Sequence, residues 1–207
     1  MKKSITVTKL SLGQMAANCY IIENGQHSIV IDPGAEGQKI IDYLQSKQLM
    51  VNAVLLTHGH FDHIGAIELL KQEYHCPIYI HEADHDMIYN DQLNLSAYYQ
   101  PLMIQSDVQQ VKDHLKIGDF NITFMNLPGH TKGSCFIVFD DYDMVFSGDV
   151  LFKNSIGRYD FPTSSVEDTK STLKKIYQMN IDYHIYPGHG EDTTLYTEKC
   201  YNPFFKA

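Results

Sequence analysis

The run of residues 57–63, Thr-His-Gly-His-Phe-Asp-His, brings four metal-binding side chains within six positions. They are His58, His60, Asp62 and His63. Imidazole and carboxylate ligands suit zinc, iron or manganese, and the absence of cysteine from the run argues against a structural zinc knot. Four ionisable groups directly after an apolar run would be costly to place there without a partner. Because they cannot share one face of a strand-to-loop turn, we predict that they divide between two metal ions.

The same arrangement, an apolar run followed by a ligand-type residue, recurs three more times along the chain. The later ligand-type residues are His130, Asp149 and His189, and a glycine precedes each of them. Glycine lets the backbone turn sharply where a strand ends. Since loops at one edge of a rigid sheet commonly carry a site, we predict that the four strand ends lie together. The seven donors would supply about three ligands to each of two catalytic metals, with one carboxylate left to bridge them.

The elements that must position these residues follow from the hydrophobic pattern. The pair Asn24-Gly25 predicts a hairpin turn, and helical spacing over residues 64–74 predicts a helix whose Ile67, Leu69 and Leu70 face inward. Further helices are predicted over residues 40–44, 82–89 and 166–179. Short apolar runs predict strands over residues 5–12, 19–22, 28–31, 51–56, 77–80, 122–127, 134–139, 144–146 and 184–186. Residues 90–106 give no clear pattern.

This order of elements predicts a mixed α/β fold in which helices cover two packed sheets. Strands come first as hairpins and later alternate with helices. No linker or low-complexity tract divides the chain, so we expect residues 1–207 to form a single domain.

Composition narrows the class of function. Sixteen Lys and Arg residues against 25 Asp and Glu residues give a net charge of -9, which argues against a nucleic-acid footprint. No stretch approaches a membrane span, and the N-terminus lacks the apolar core of a signal peptide, so we expect a cytoplasmic protein that binds no membrane. The four cysteines are scattered, and we expect them to be reduced and buried in the core. They are Cys19, Cys76, Cys135 and Cys200.

Residues 57–65 resemble the THxHxDHxxG signature of the metallo-β-lactamase superfamily. Residues 127–134, 146–149 and 186–190 resemble the later motifs of that superfamily, in the right order. The resemblance spans residues 19–190 and implies a four-layer αββα sandwich.

The resemblance also implies a ligand set for two divalent metal ions. Three histidines would hold one ion, namely His58, His60 and His130. A carboxylate and two histidines would hold the other, namely Asp62, His63 and His189. Asp149 would bridge the two ions, and Asp62 would also orient or deprotonate a catalytic water. Zinc is the expected metal, with iron and manganese as alternatives.

Within the superfamily the chain looks most like glyoxalase II, which hydrolyses S-2-hydroxyacylglutathione thioesters. Residues 149–158 resemble that family's stretch from the bridging Asp to a basic, glutathione-contacting residue. Arg158 is the only arginine of the chain, and its planar fork suits a substrate carboxylate. We expect Arg158, Tyr159 and Asp160 to bind substrate. Residues 198–204 resemble the entry into that family's helical C-terminal domain, but only 18 residues follow His189, so the chain resembles a short group without that domain.

The expected reaction is metal-dependent hydrolysis of a small thioester, with S-lactoylglutathione as the first candidate. One alternative is a persulfide dioxygenase with a single iron, because residues 157–161, Gly-Arg-Tyr-Asp-Phe, also resemble the GRxDF stretch of that family. Another is a metallo-hydrolase of a different small ester or amide, and a third is a non-catalytic metal-binding protein. The sequence leaves open the acyl group, the thiol carrier, the native metal and whether the protein is a monomer or a homodimer.

Overall fold

The computed structural model describes residues 5–206, whose strands form two six-stranded sheets. The first sheet contains six strands in chain order: β1 (Thr6–Leu12), β2 (Ala17–Asn24), β3 (His27–Ile31), β4 (Met50–Leu56), β5 (Ile78–His81) and β6 (Gln109–Val111). Strands β1 to β3 pair antiparallel, and the hairpin predicted at Asn24-Gly25 is confirmed. Strands β3 to β6 pair in parallel, which requires crossover connections. The crossovers before and after β4 contain three helices: α1 (Gly37–Ser46), α2 (Phe61–Ile64) and α3 (Ile67–Tyr74).

The second sheet is built from the later part of the chain. Its strands are β7 (His114–Ile117), β8 (Phe120–Asn126), β9 (Cys135–Phe139), β10 (Met144–Gly148), β11 (His184–Pro187) and β12 (Thr193–Thr194), and they lie in sequence order across the sheet. Only the β10–β11 pair among them is parallel, and the helix α4 (Val166–Tyr177) connects those two strands. A last helix, α5 (Leu195–Tyr201), follows β12. Short 3-10 helices cover Glu82–Tyr89, Ser96–Tyr98 and Pro203–Phe205.

Three apolar cores separate four layers. Successive residues of a strand point to opposite faces of its sheet, so Ile21 packs with the residues of α1 and α3 while Ile22 packs against the second sheet. The middle core joins the inner faces of both sheets. The third core lies between the second sheet and α4, where Ile176 of the helix packs with Val145 and Ile185. The predicted αββα sandwich is therefore confirmed.

Some local predictions were wrong. The helix predicted over residues 64–74 is divided at positions 65–66, and Leu69 is 39% exposed instead of facing inward. Cys19, Cys76 and Cys135 are buried as predicted, but Cys200 is only partly buried; all four are free thiols. The strands β6, β7 and β12 and the helix α5 were not predicted.

Two glycines allow the loop after β3 to cross the start of α2 at very short distance. A Cβ atom at Gly34 would lie 1.5 Å from the carbonyl oxygen of Asp62, and one at Gly65 would lie 2.3 Å from the carbonyl oxygen of Gly34. The amide of Ala66 also donates to the carbonyl oxygen of Pro33 at 2.9 Å. This crossing fixes α2, which carries Asp62 and His63, against the end of β3.

Among residues 5–206, no helix is both long enough and apolar enough to cross a membrane.

Candidate metal centre

The four strand ends that were predicted to lie together do meet at one edge of the sandwich. The first sheet contributes the turn after β4, which carries His58 and His60, and the second sheet contributes the loops after β8, β10 and β11. His130 follows β8 and lies with its Nε2 2.9 Å from Nδ1 of His60. Asp149 and His189 follow the other two strands, with the Asp149 Oδ2 atom 3.7 Å from Nε2 of His189. All seven predicted ligands are thus neighbours.

The first group of donors, called here the three-histidine group, consists of His58, His60 and His130. Each offers one ligand atom within 4.8 Å of the others, and all three side chains are buried. Burial lowers the pKa of His58 and of His60, and nearby imidazoles lower it further. Both rings are therefore held neutral, which is the form of histidine that binds a metal ion.

The second group, called here the mixed group, consists of Asp62, His63 and His189. The Asp62 Oδ2 atom lies 3.3 Å from Nε2 of His189 and 3.7 Å from Nε2 of His63. Burial acts to raise the pKa of Asp62, but the two imidazoles hold it well below its ordinary value. Burial also acts to lower the pKa of His63, but the carboxylates of Asp62, Asp149 and Asp32 raise it to about 10. The mixed group is accordingly a tightly coupled set of opposite charges.

Asp149 stands between the two groups. Its Oδ1 atom lies 3.5 Å from Nε2 of His63 in the mixed group. Its Oδ2 atom lies 3.5 Å from Nε2 of His130 in the three-histidine group. One carboxylate therefore reaches both groups, as a bridging ligand must.

The unpaired atoms of the cluster fit a pair of cations. Buried polar atoms in proteins are nearly always hydrogen-bonded, yet several at this site have no such partner: His58 Nε2, His60 Nε2, His63 Nε2 and Asp149 Oδ1. Nitrogen and oxygen donors of this kind suit zinc, iron and manganese. The donor set thus fits two metal ions.

Asp32 is a functional residue that the sequence analysis missed. Its Oδ1 accepts from the amide of Thr57 at 2.8 Å, and its Oδ2 accepts from the Thr57 hydroxyl at 2.6 Å and lies 3.0 Å from Nδ1 of His63. Although its position near His58 and His63 also permits a metal, its oxygens are occupied by these contacts. We assign Asp32 to orienting His63, because a carboxylate on one ring nitrogen leaves the other free for a metal. Asp32 could have been found from the sequence because, like the metal-ligand candidates, it stands directly after an apolar strand, β3.

Replacing Asp32 by asparagine should weaken metal binding at the mixed group by about 10- to 100-fold. An asparagine offers only one acceptor oxygen, so its amide nitrogen must face a donor on Thr57 or on His63. Zinc titration of the metal-free protein would measure the loss. Asp42→Asn, an exposed change on α1, is the matched control, and equal zinc affinity in the two variants would contradict the role of Asp32.

A cavity of about 630 Å³ opens onto the donor cluster. Two of the three predicted substrate-binding residues line it, Arg158 and Asp160, and they pair through Nε–Oδ1 and Nη2–Oδ2 distances of 2.9 Å. The Arg158 guanidinium also lies 4.4 Å from the ring centre of Phe161. Tyr159 lies elsewhere, in a separate groove beside α4.

The segment that gave no clear pattern contributes to this cavity. Tyr98 and Tyr99 line it, and the ring centres of Tyr99 and Phe61 are 4.8 Å apart. Both tyrosines are largely exposed. They form an aromatic wall beside the donor cluster, and a polar, aperiodic sequence gave no indication of it.

Comparisons with known proteins agree with this geometry. The family model described as the metallo-beta-lactamase superfamily matches residues 12–189. The chain is 33% identical over 207 residues to the probable metallo-hydrolase YqgX of Bacillus subtilis (strain 168), covering 96% of this chain and 97% of the relative. It is 32% identical over 197 residues to the hydroxyacylglutathione hydrolase GloC of Haemophilus influenzae, covering 92% of this chain and 93% of the relative.

Solved structures with the same fold are also similar in sequence. The crystal structure of BLEG-1 B3 metallo-beta-lactamase matches with a TM-score of 0.91 at 30% identity, covering 98% of this chain and all (100%) of that one. The structure of TTHA1623 in a di-iron-bound form matches with a TM-score of 0.86 at 33% identity, covering 96% of this chain and 100% of that one.

Proposed function

The chain belongs to the metallo-beta-lactamase superfamily and is a metal-dependent hydrolase of that superfamily, and we propose that it cleaves the thioester of an S-2-hydroxyacylglutathione or a related thiol conjugate. The observation that carries the proposal is the single cavity that joins the buried donor cluster to the exposed guanidinium of Arg158. A substrate that places an acyl carbonyl at the donor cluster and a carboxylate at Arg158 would bind at both ends of this cavity. The similarity to a hydroxyacylglutathione hydrolase supports the same substrate class.

The proposed ligand roles follow the two groups. His58, His60 and His130 would hold one ion; Asp62, His63 and His189 would hold the other. Asp149 would be a ligand of both ions. When bound, the ions would polarise the substrate carbonyl and lower the pKa of an attacking water towards neutrality.

The chain's own residues then orient the reactants. Asp62 lines the cavity and stays ionised, so it accepts a hydrogen bond from the attacking water and fixes its direction. The water oxygen forms the new bond to the acyl carbon, the carbon–sulfur bond breaks, and the water's proton goes to the departing thiolate or to solvent. Because a thiolate is a good leaving group, this site needs no strong general acid.

Arg158 is proposed to bind a carboxylate of the thiol carrier. In the free protein its guanidinium is paired with Asp160, and both side chains are well exposed. An exposed pair of this kind contributes only about 0–1 kcal/mol, so a substrate carboxylate can replace Asp160 at little cost. Phe61 and Tyr99 would cover the apolar part of the carrier beside it.

The deciding experiment combines the metal content of the purified protein with turnover of S-lactoylglutathione. We expect two metal ions per chain and thioester cleavage that a chelator abolishes and added metal restores. A single iron with oxygen uptake on a persulfide would instead establish the dioxygenase. A second candidate function is β-lactam hydrolysis, which the similarity to BLEG-1 favours. It is tested with nitrocefin, and ring opening of nitrocefin without thioester cleavage would replace the thioester proposal.

Replacing Arg158 by glutamine should raise KM for S-lactoylglutathione about 10- to 100-fold and leave kcat nearly unchanged, because a hydrogen bond to a charged group contributes about 1.5–3 kcal/mol. A thioester whose glutathione carboxylates are esterified should show little difference between the two proteins. Steady-state kinetics on both substrates tests this, with the exposed Lys47→Gln as control. An unchanged KM would show that Arg158 does not bind the substrate.

A further inference from the structure

Asp84 lies buried outside the donor cluster and is 1% exposed. It belongs to the 3-10 helix Glu82–Tyr89, which follows β5 of the first sheet. Burial raises the pKa of its carboxyl group, while donors from three residues oppose that rise. A buried carboxylate needs such partners to offset its loss of hydration, and the identity of these partners is informative.

The three donors come from the two segments that carry the three-histidine group. Asp84 Oδ2 accepts from the amide of Gly59 at 3.1 Å, and Gly59 stands between His58 and His60. The same oxygen accepts from the hydroxyl of Thr131 at 2.6 Å, directly after His130. Asp84 Oδ1 accepts from the amide of Gly133 at 2.6 Å. One carboxylate thus joins the turn after β4 of the first sheet to the loop after β8 of the second.

This junction depends on very close contact. A Cβ atom at Gly133 would lie 2.6 Å from Cβ and Cγ of Asp84, so only glycine lets the loop approach the carboxylate. The Thr131 hydroxyl is in turn fixed by Ser134, whose Oγ lies 2.6 Å from it and accepts from the Thr131 amide at 3.0 Å. The His130 segment is therefore held on its C-terminal side by a fully bonded network.

We propose that Asp84 is a positioning residue that sets the spacing of the His58, His60 and His130 ligand atoms and thereby the metal affinity of the three-histidine group. The proposal rests on the metal centre of the proposed function, but it is independent of the substrate. It assigns no contact between Asp84 and a metal ion or a reactant.

The mixed group is held by other residues, so the effect should be confined to one half of the centre. Asp32 orients His63, as described above. The loop that carries His189 is bound by β2: the Asn18 amide group donates to the carbonyl oxygens of Pro187 and Gly190 at 2.9 and 3.0 Å, and the Tyr20 hydroxyl donates to Pro187 at 2.7 Å. The described contacts of Asp84 involve none of these residues.

The test is a zinc titration of the metal-free protein and of Asp84→Asn, with a competing chelator to resolve two dissociation constants. Asparagine has the shape of aspartate, but one of its two polar atoms is an amide nitrogen. That nitrogen would face either the Gly133 amide or the pair formed by the Thr131 hydroxyl and the Gly59 amide, all of which are donors. We expect one constant to rise about 10- to 100-fold, as for other groups that support metal ligands, and the other to stay unchanged. Cobalt absorption spectra should show the same selective loss.

Tyr20→Phe removes a donor to the segment that carries His189 and should move the other constant, which identifies the constant of each group. Asp86→Asn, an exposed change on the same 3-10 helix, is the matched control and should move neither. If Asp84→Asn does not fold, Thr131→Val removes one donor without changing side-chain shape and should shift the same constant in the same direction. The proposal fails if the two constants move equally or not at all. Because no substrate is present, that failure is separate from failure of thioester cleavage.

Discussion

Replacing Asp149 by alanine should lower hydrolytic turnover by about 10³-fold or more, the largest loss expected from a single side chain. Asp149 is a carboxylate with one oxygen near each donor group, at 3.5 Å from His63 and 3.5 Å from His130. Without it, each group keeps three donors but loses the bridge. A metal pair contributes several kcal/mol to the transition state, and about 1.36 kcal/mol corresponds to each tenfold of rate.

Metal analysis and kcat/KM should be measured on the same preparation, with circular dichroism to establish that the variant is folded. We expect less than two metal ions per chain together with the loss of rate. Asp107→Ala, an exposed change of the same type, should retain both metals and full activity. A folded Asp149→Ala protein with two metals and normal turnover would refute the bridging role.

The two-sheet architecture was predictable because most strands are buried on at least one face, which leaves alternating or continuous apolar runs in the sequence. The strands that were missed lie at the sheet edges: β6 is an edge strand of the first sheet, and β7 and β12 are the two edge strands of the second. Gln109, Gln110, His114 and Lys116 are exposed there. Polar residues suit an edge strand, since they discourage pairing with other chains, but they also remove the hydrophobic signal.

The donor cluster was predictable for a different reason. Each ligand-type residue stands where an apolar run ends, so the sequence marks both the residue and its place in the fold. No sequence pattern indicates the role of Asp84, because its hydrogen-bond partners lie 25 to 49 positions away and two of them are backbone amides. The placement of Tyr159 outside the cavity that Arg158 lines depends equally on loop geometry, which residue type alone does not specify.

Replacing Gly188 by alanine should give a folded protein that binds the metal pair poorly and loses about 10²-fold or more in turnover. A Cβ atom there would lie 2.3 Å from Oδ1 of Asp149 and 2.8 Å from Cε1 of His63. The backbone of Gly188 is not in the left-handed region, so alanine is acceptable to the chain and only the lack of space opposes it. The methyl group must displace a ligand, and misplacement by about 1 Å can cost about 10²-fold in rate.

Thermal unfolding with and without zinc separates this effect from simple instability. A ligand at about 100 times its dissociation constant stabilises a protein by about 2.7 kcal/mol, so the parent protein should gain a clear rise in Tm on adding zinc, whereas Gly188→Ala should gain little. The control is Gly118→Ala in the β7–β8 turn, where φ is +55° and no atom lies within 4 Å. It should lower the free energy of unfolding by the cost of a left-handed alanine, about 1–2 kcal/mol, and so lower Tm, but it should keep the zinc response. A full zinc response in Gly188→Ala would show that Asp149 and His63 do not have to keep these positions to bind metal.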